Sequence, residues 1–138
     1  MFLRNTSQYP NDEVRKLVDF ARHGFNDKRV CINVKNCKTR RYGGTAYWCI
    51  PHISNAPKSA RYLITVRVGK PKDFPCTNFG SYRYKTVTEF KFNSWQECLV
   101  AVLAHELTHI RQYRCQKPRS EVECMKNEHK KLLAYRNQ

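Results

Sequence analysis

The pattern of apolar and polar residues divides the chain into helical and extended segments. From Asn11 to Ala21 the apolar residues recur every three or four positions, which predicts an amphipathic helix that Asn11 caps and that ends before Gly24. A second type of segment alternates apolar with polar residues and is typical of β-strands. Such strands are predicted at Val30 to Val34, Thr45 to Ile50, Arg61 to Val68 and Thr86 to Phe92, after an extended lead-in at residues 1–10.

Two further helices are predicted in the last third of the chain. Ser94 and Glu97 form a capping-box pattern before a long apolar run, and Ser120 and Glu123 repeat that pattern before a final helix. The apolar face of the final helix is expected to hold Val122, Met125, Leu132 and Leu133. One helix, about four strands and two helices predict a single α+β domain over residues 1–138, with a mixed sheet.

Composition indicates the cellular location of this domain and the state of its cysteines. The 138 residues contain 41% apolar residues but no apolar run of about 18 that could cross a membrane. The first residues contain no apolar leader, so we expect an intracellular, cytoplasmic protein. The seven cysteines are widely spaced and form no C-x-x-C pair, which favours reduced, buried thiols over a disulfide framework.

The charge of the chain is strongly unbalanced. It carries 26 Lys and Arg residues against 11 Asp and Glu residues, a formal net charge of +15. Such an excess attracts anionic partners, and nucleic acid is the first candidate; a role in solubility alone is the other interpretation.

The clearest chemical motif is His105-Glu106-Leu107-Thr108-His109, an HExxH sequence. On a helix, residues four apart lie on one face, so His105 and His109 can bind one Zn²⁺ ion while Glu106 lies beside it. Zinc lowers the pKa of bound water to about 7 and polarises a carbonyl. Glu106 is then the expected general base in the hydrolysis of a peptide bond.

A catalytic zinc site usually has three protein ligands, so a third must follow the motif. The candidates on the final helix are Glu121, Glu123, Glu128 and His129. Helical geometry places them at about 70°, 130°, 90° and 10° from the mean direction of the expected apolar face. His129 is therefore nearest the interior, as a core residue or as a ligand, and Glu123 is the poorest candidate.

The HExxH motif followed by Glu121-Val-Glu-Cys124 at the start of a second helix resembles gluzincin-type zinc metallopeptidases of minimal size. The resemblance covers roughly the last 45 residues. It implies a zincin-like fold and makes Glu121 the third ligand, with Cys124 in the position of a small residue. Met125 departs from the family, which often has Asp or Asn there to support a ligand.

A second resemblance is to SprT-like DNA-associated proteases, which use a third His after HExxH. His129 would be that ligand, and the positive charge suits a DNA-bound protease, but the usual Gly-rich surroundings of that His are missing. The metzincin pattern is excluded because Gln112 and Cys115 stand where it requires Gly and His.

A different class of function is a basic nucleic-acid-binding module in which zinc only joins two helices. Glu106 argues against that alternative, because a structural site needs no base. For the peptidase, we expect an extended peptide substrate along an exposed strand edge near Arg67 or Tyr84. The residue that stabilises the oxyanion is left open among Tyr82, Tyr84 and Tyr113.

Overall fold

The computed structural model describes residues 1–39, 41–48, 56–78 and 89–138. Within these ranges the fold is mixed α+β, which confirms the predicted class at that level, with three helices and a four-stranded mixed sheet. The elements in chain order are β1 (Phe2–Asn5), α1 (Asn11–Arg22), β2 (Val30–Asn36), β3 (Tyr42–Tyr47), β4 (Tyr62–Val68), β5 (Cys76–Thr77), β6 (Lys91–Phe92), α2 (Trp95–Arg114) and α3 (Glu121–Arg136).

The main sheet has the strand order β1-β2-β4-β3. β1 and β4 both run parallel to β2, whereas β3 runs antiparallel to β4. Ile64 of β4 lies opposite both Ile32 of β2 and Ala46 of β3, so these three side chains share one face. That face belongs to the hydrophobic core, which also contains residues of α1 and α2.

The central strand is more buried than its alternation predicts. Cys31 and Asn33, expected on an outer face, are buried along with their apolar neighbours. A strand with a parallel neighbour on each side occupies the middle of the sheet, where both faces tend to be covered.

Three strand predictions need correction. The lead-in is a true strand, since β1 pairs with β2 over Phe2–Asn5. β3 begins at Tyr42, so Gly43 and Gly44 lie in the strand and not in a turn before it. The last predicted strand is represented in the described residues by the short β6; Phe92 in it and Phe90 just before it are buried. Thr88 of that predicted strand and Ile50 of the second one lie outside the described residues.

The first helix confirms its predicted buried face, which consists of Val14, Leu17, Val18 and Ala21. Its start differs by one residue, because Pro10 takes the N-cap position and makes no side-chain cap bond. Asn11 is the first helical residue, and its side-chain oxygen accepts a hydrogen bond from Asn5 instead.

α2 is the central element of the fold. It contacts α1, α3, β3 and β4, and most of its 20 residues are buried, including residues on every side of the helix. Ser94 caps it as predicted, accepting a hydrogen bond from the Glu97 N–H. The Glu97 carboxylate does not complete a capping box at Ser94; it accepts from the Asn93 N–H and pairs with Arg136 at 2.8 Å.

α3 runs antiparallel to α2, since Arg136 at its end meets Glu97 at the start of α2 and Ser120 at its start meets Gln112. Its buried residues are Cys124, Met125, Glu128 and Leu132. Leu133, expected inside, is 44% exposed. The true inward direction therefore differs by about 75° from the one that the apolar pattern predicts.

Neither a membrane-spanning helix nor a disulfide bond is found among the described residues. None of the described helices is long and apolar enough to cross a membrane. The six cysteines that the structure describes are free thiols, and four of them are buried, which agrees with the expected role as small apolar side chains.

Candidate metal centre

The three motif residues lie on α2 where that helix meets α3 and β3. The long helix forms because Ser94 caps it and because its residues are packed on all sides, and this fixes the spacing of the motif. His105 and His109 lie one turn apart with ring centroids 5.1 Å from each other. Glu106 is 6% exposed and His109 is 4% exposed, so the motif is almost withdrawn from solvent.

Glu121, the first residue of α3, brings its carboxylate between the two imidazoles. His105 Nε2 lies 3.1 Å from Glu121 Oε2, and His109 Nε2 lies 3.0 Å from Glu121 Oε1. Two ligands on one tetrahedral zinc with bonds of 2.0–2.1 Å are separated by about 3.3 Å. Each imidazole therefore lies at nearly the distance from a Glu121 oxygen that two ligands of one zinc ion have, and a ring nitrogen of His105 lies within 4.8 Å of one of His109.

The position of Glu121 follows from the direction in which α3 faces. Relative to the observed buried side chains, Glu121 lies within about 5° of the inward direction, not 70° from it. Because α3 is antiparallel to α2 and begins six residues after it ends, this inward position at its first turn faces the last turns of α2.

The electrostatics of the site depend on three carboxylates around two imidazoles. The contact with His105 lowers the pKa of Glu121 to about 2, which keeps it ionised. Burial alone would lower the pKa of His105, but Glu121 and Glu128 raise it to about 10. Burial raises the pKa of Glu106 to about 7 and lowers the pKa of His109.

Glu128 lies behind His105, on the side away from Glu121. Its Oε1 lies 3.2 Å from His105 Nδ1, a close contact that is not aligned as a hydrogen bond. Its Oε2 accepts a hydrogen bond from the Asn78 amide. The carboxylate is 2% exposed, and burial raises its pKa. Glu128 is therefore not a third ligand; it is an acceptor facing the ring nitrogen of His105 that a metal would leave free.

Gln112 makes the corresponding contact with the second imidazole, that of His109. Its Oε1 lies 3.2 Å from His109 Nδ1 and also accepts from the Ser120 N–H, while its amide donates to the Ser120 carbonyl. One buried side chain thus joins His109 to the loop between α2 and α3. Glu128 and Gln112 thus place an oxygen near Nδ1 of each imidazole. If a metal replaced the proton on Nε2, these oxygens would lie at the ring nitrogen that the metal does not use.

Cys124 is a further donor that the sequence does not single out as a ligand. Its Sγ and one ring nitrogen each from His105 and His109 all lie within 4.8 Å of one another. The thiol is fully buried, and burial together with nearby carboxylates raises its pKa, so it stays protonated. A bound zinc ion would itself deprotonate the thiol, so Glu121 and Cys124 are both candidate third ligands.

The other candidates lie elsewhere. The His129 ring stacks on Phe90 with centroids 4.6 Å apart. The Glu123 N–H donates to the Ser120 hydroxyl at the start of α3. Tyr113 stacks on Trp48, and Tyr82 and Tyr84 lie outside the described residues.

The edge strand β3 passes directly over Glu106. A Cβ atom added to Gly44 would lie 2.7 Å from Glu106 Oε1 and 2.7 Å from Val102 Cγ1, so only glycine allows this approach. A cavity of about 250 Å³ lies between β3 and the motif, lined by residues 44–48, the three motif residues, Arg119 and Glu121. Arg67, which follows Val66 on β4, points to the opposite face of the sheet from Gly44, away from this cavity.

The donor set fits a divalent metal on these observations. Two imidazoles and an ionised carboxylate are typical zinc ligands, and they meet here with two further acidic residues, Glu106 and Glu128, close by. Three of the eleven acidic residues of a cationic chain are thus concentrated in one largely buried place. Without a metal, protonated His105 offsets part of this negative charge, and a divalent cation would offset more of it.

The fold and the site together define an α+β protein with a His-His-carboxylate cluster under an edge strand. Comparison of the chain with protein-family models, with characterised proteins and with solved structures finds no match.

Proposed function

We propose that this protein is a zinc-dependent metallopeptidase with a zincin-like, gluzincin-type site, in which His105, His109 and Glu121 hold the metal. The observation that carries the proposal is the approach of both Nε2 atoms to one ionised carboxylate, at 3.1 Å and 3.0 Å. Zinc in such a site supplies Lewis acidity that activates water and polarises a carbonyl group.

Glu106 acts as the general base in this proposal. It follows a ligand directly in the motif and lies at the cavity under β3. Burial raises its pKa to about 7, so at neutral pH it can both accept a proton from water and return it to a leaving amine.

The peptide substrate is proposed to lie along β3. Among the described strands, β3 pairs only with β4, so its other edge is free of strand pairing there. The Gly69 N–H donates to the Arg41 carbonyl, which fixes the alternation of the antiparallel ladder. The backbone N–H and C=O groups of Gly44 and Ala46 then point away from β4, where an extended peptide can pair with them.

Metal content is the first measurement. Mass spectrometry of the protein purified with added zinc should give about one zinc ion per chain. Glu121→Ala should lose that zinc, whereas His129→Ala should retain it because His129 stacks on Phe90. Zinc that survives Glu121→Ala but is lost in Cys124→Ala would replace the proposed ligand set by His105, His109 and Cys124.

Peptide cleavage is the second measurement. Glu106→Gln should keep zinc and the fold but lower cleavage of a quenched fluorescent peptide library by at least about 100-fold, the usual effect of removing a general base. Glu123→Gln, on α3, is the matched control and should remain active. Equal activity of Glu106→Gln and the unaltered protein would exclude this mechanism.

A second candidate function is a basic nucleic-acid-binding protein with a structural zinc ion. The observation that favours it is the Cys124 thiol, which as a fourth donor would close the site to water. Zinc that needs both Glu121 and Cys124, with no cleavage by the unaltered protein, would favour this function over the peptidase. For either function, the free thiols support the proposed cytoplasmic location, where cysteines stay reduced.

A further inference from the structure

A group of exposed aromatic side chains lies beside the candidate metal centre and has no part in the proposed reaction. Trp48, which follows β3, is 37% exposed, and Tyr113 near the end of α2 is 48% exposed. Their rings stack with centroids 5.2 Å apart and planes at 11°, and Tyr62 packs edge-on against Tyr113. Large exposed aromatic side chains grouped in this way are typical of contact sites.

One cationic side chain lies against these rings, and the backbone of a basic turn lies beside them. The Arg114 guanidinium lies 4.4 Å from the centre of the Tyr62 ring, and it donates a hydrogen bond to the Lys28 carbonyl. The Arg29 carbonyl accepts from the N–H groups of Arg61 and Tyr62, which brings the turn before β2 next to the same rings. Asp27, the acidic residue on this turn, is already paired with Arg22 at 2.6 Å.

A basic cavity continues this surface along the same turn. Arg111, one helical turn before Arg114, donates to the Gly24 carbonyl, and Lys131 donates to the His23 carbonyl. These groups and Lys130 line a cavity of about 250 Å³, and none of the described residues that line it carries a carboxylate. Burial lowers the pKa of Lys131, and the charges of Arg111 and Lys130 lower it further. An anion in this cavity would relieve that repulsion.

We propose that these two regions together form a binding surface for single-stranded nucleic acid. The surface, called the arginine–aromatic surface below, consists of Trp48, Tyr62, Arg111, Tyr113, Arg114, Lys130 and Lys131. Bases stack on the outer faces of the Trp48 and Tyr113 rings, and phosphates bind Arg114 and the cavity of Arg111, Lys130 and Lys131.

A single strand is favoured over a duplex and over a membrane for a chemical reason. Phosphates alone would account for the cationic side chains, but they leave the stacked aromatic pair unexplained. Bases are free to stack on protein rings only where they are unpaired. This surface needs neither zinc nor Glu106, so it stands or fails independently of the peptidase.

Fluorescence anisotropy tests the proposal with a fluorescein-labelled 20-nucleotide oligothymidylate at 50 mM NaCl, using the unpaired strand and its duplex with oligodeoxyadenylate. The single strand should bind more tightly than the duplex. Tyr113→Ala should weaken binding by at least about fivefold, whereas Tyr113→Phe should bind like the unaltered protein because its ring still stacks. Thermal unfolding checks that both variants fold.

The phosphate contacts are tested by charge removal. The double variant Lys130→Gln, Lys131→Gln should weaken binding, and its log-log salt slope should be shallower by about 1.4, the effect of losing two contacts on a single strand. Lys16→Gln, Lys72→Gln removes the same charge from exposed positions outside the surface and should change binding less.

Three results would overturn the proposal. One is binding that is equal for Tyr113→Ala and the unaltered protein; another is an equal effect of the two lysine pairs. The third is tighter binding to the duplex, or to vesicles of phosphatidylglycerol and phosphatidylcholine, than to the strand. Glu106→Gln should bind the strand normally, so a failure of the peptidase proposal leaves this measurement interpretable.

Discussion

Glu128 is one of the buried residues of α3, and its carboxylate lies against His105. Its other oxygen is held by Asn78, which comes from a distant part of the chain. A carboxylate behind a metal-binding imidazole fixes the orientation of the ring and raises its basicity as a ligand. Glu128 is therefore a positioning residue for the proposed zinc site.

Replacing Glu128 by Gln should separate metal binding from folding. The amide keeps the size of the side chain but loses the charge that faces His105, so we expect zinc affinity to fall by about 10- to 100-fold. The free energy of unfolding in EDTA should fall by less than in a variant that loses the whole side chain, because without metal the Glu128 charge faces His105, whose pKa Glu121 and Glu128 raise to about 10. A chelator competition titration and urea unfolding measure the two effects.

Glu123→Gln is the control for this experiment, since it makes the same chemical change on the same helix at a position whose backbone only caps α3. Unchanged zinc affinity in Glu128→Gln would show that the contact with His105 has no influence on the metal. A loss of stability in EDTA with unchanged affinity would assign Glu128 a purely structural role.

The sequence predicts the local part of this site and misses the part that depends on tertiary packing. The His105, Glu106 and His109 spacing lies within one helix, so periodicity alone is sufficient to place these residues on neighbouring positions. Glu128 is predicted only as a candidate ligand, and its burial behind His105 is missed because Leu133, which the structure exposes, shifts the expected inward direction of α3. Gln112 is missed as a contact of His109 because its partner Ser120 lies beyond the end of α2.

Among the secondary-structure elements, β3 shows how close packing against a helix can require a glycine in a strand. Two adjacent glycines are typical of turns, yet Gly43 and Gly44 both lie in the strand. Gly44 faces α2 at a distance that allows no Cβ atom, while Gly43 faces open space. A contact between elements thus overrides the local preference of glycine for turns, and no local pattern can reveal it.

The two glycines make a matched pair of variants. Gly44→Ala should lower the free energy of unfolding by about 1–3 kcal/mol, because its methyl group would overlap Val102 and the Glu106 carboxylate. Gly43→Ala should stay within about 0.5 kcal/mol of the unaltered protein. Urea unfolding of the two variants tests this difference, and equal stabilities would show that β3 does not approach α2 so closely.

For the whole molecule, the excess of positive charge opposes folding. Glu97, Glu106 and Glu128 are buried, so part of the small acidic complement does not offset the cations at the surface. Helix and sheet formation proceed despite this because the core is apolar and continuous through α1, α2 and the sheet. The repulsion remains and is sensitive to screening by salt.

Raising NaCl from about 10 mM to about 200 mM should therefore increase the thermal midpoint, since the screening length falls below the separation of most surface charges. The variant Lys16→Gln, Lys72→Gln carries two fewer positive charges and should show a smaller increase. Differential scanning fluorimetry in EDTA measures both proteins. A midpoint that falls or stays constant with salt would show that self-repulsion contributes little to the stability of this fold.

The contacts of Gln112 limit where this protein can accept inserted sequence. Its side chain contacts His109 and hydrogen-bonds both the N–H and the carbonyl of Ser120. Gln112 therefore links the segment 115–120 to the His109 imidazole. Surface connections usually tolerate added sequence, and this one would be an obvious place to insert a tag or a second module. Here an insertion would release the imidazole from its support, so the connection is expected to vary little in length even where its exposed residues change freely.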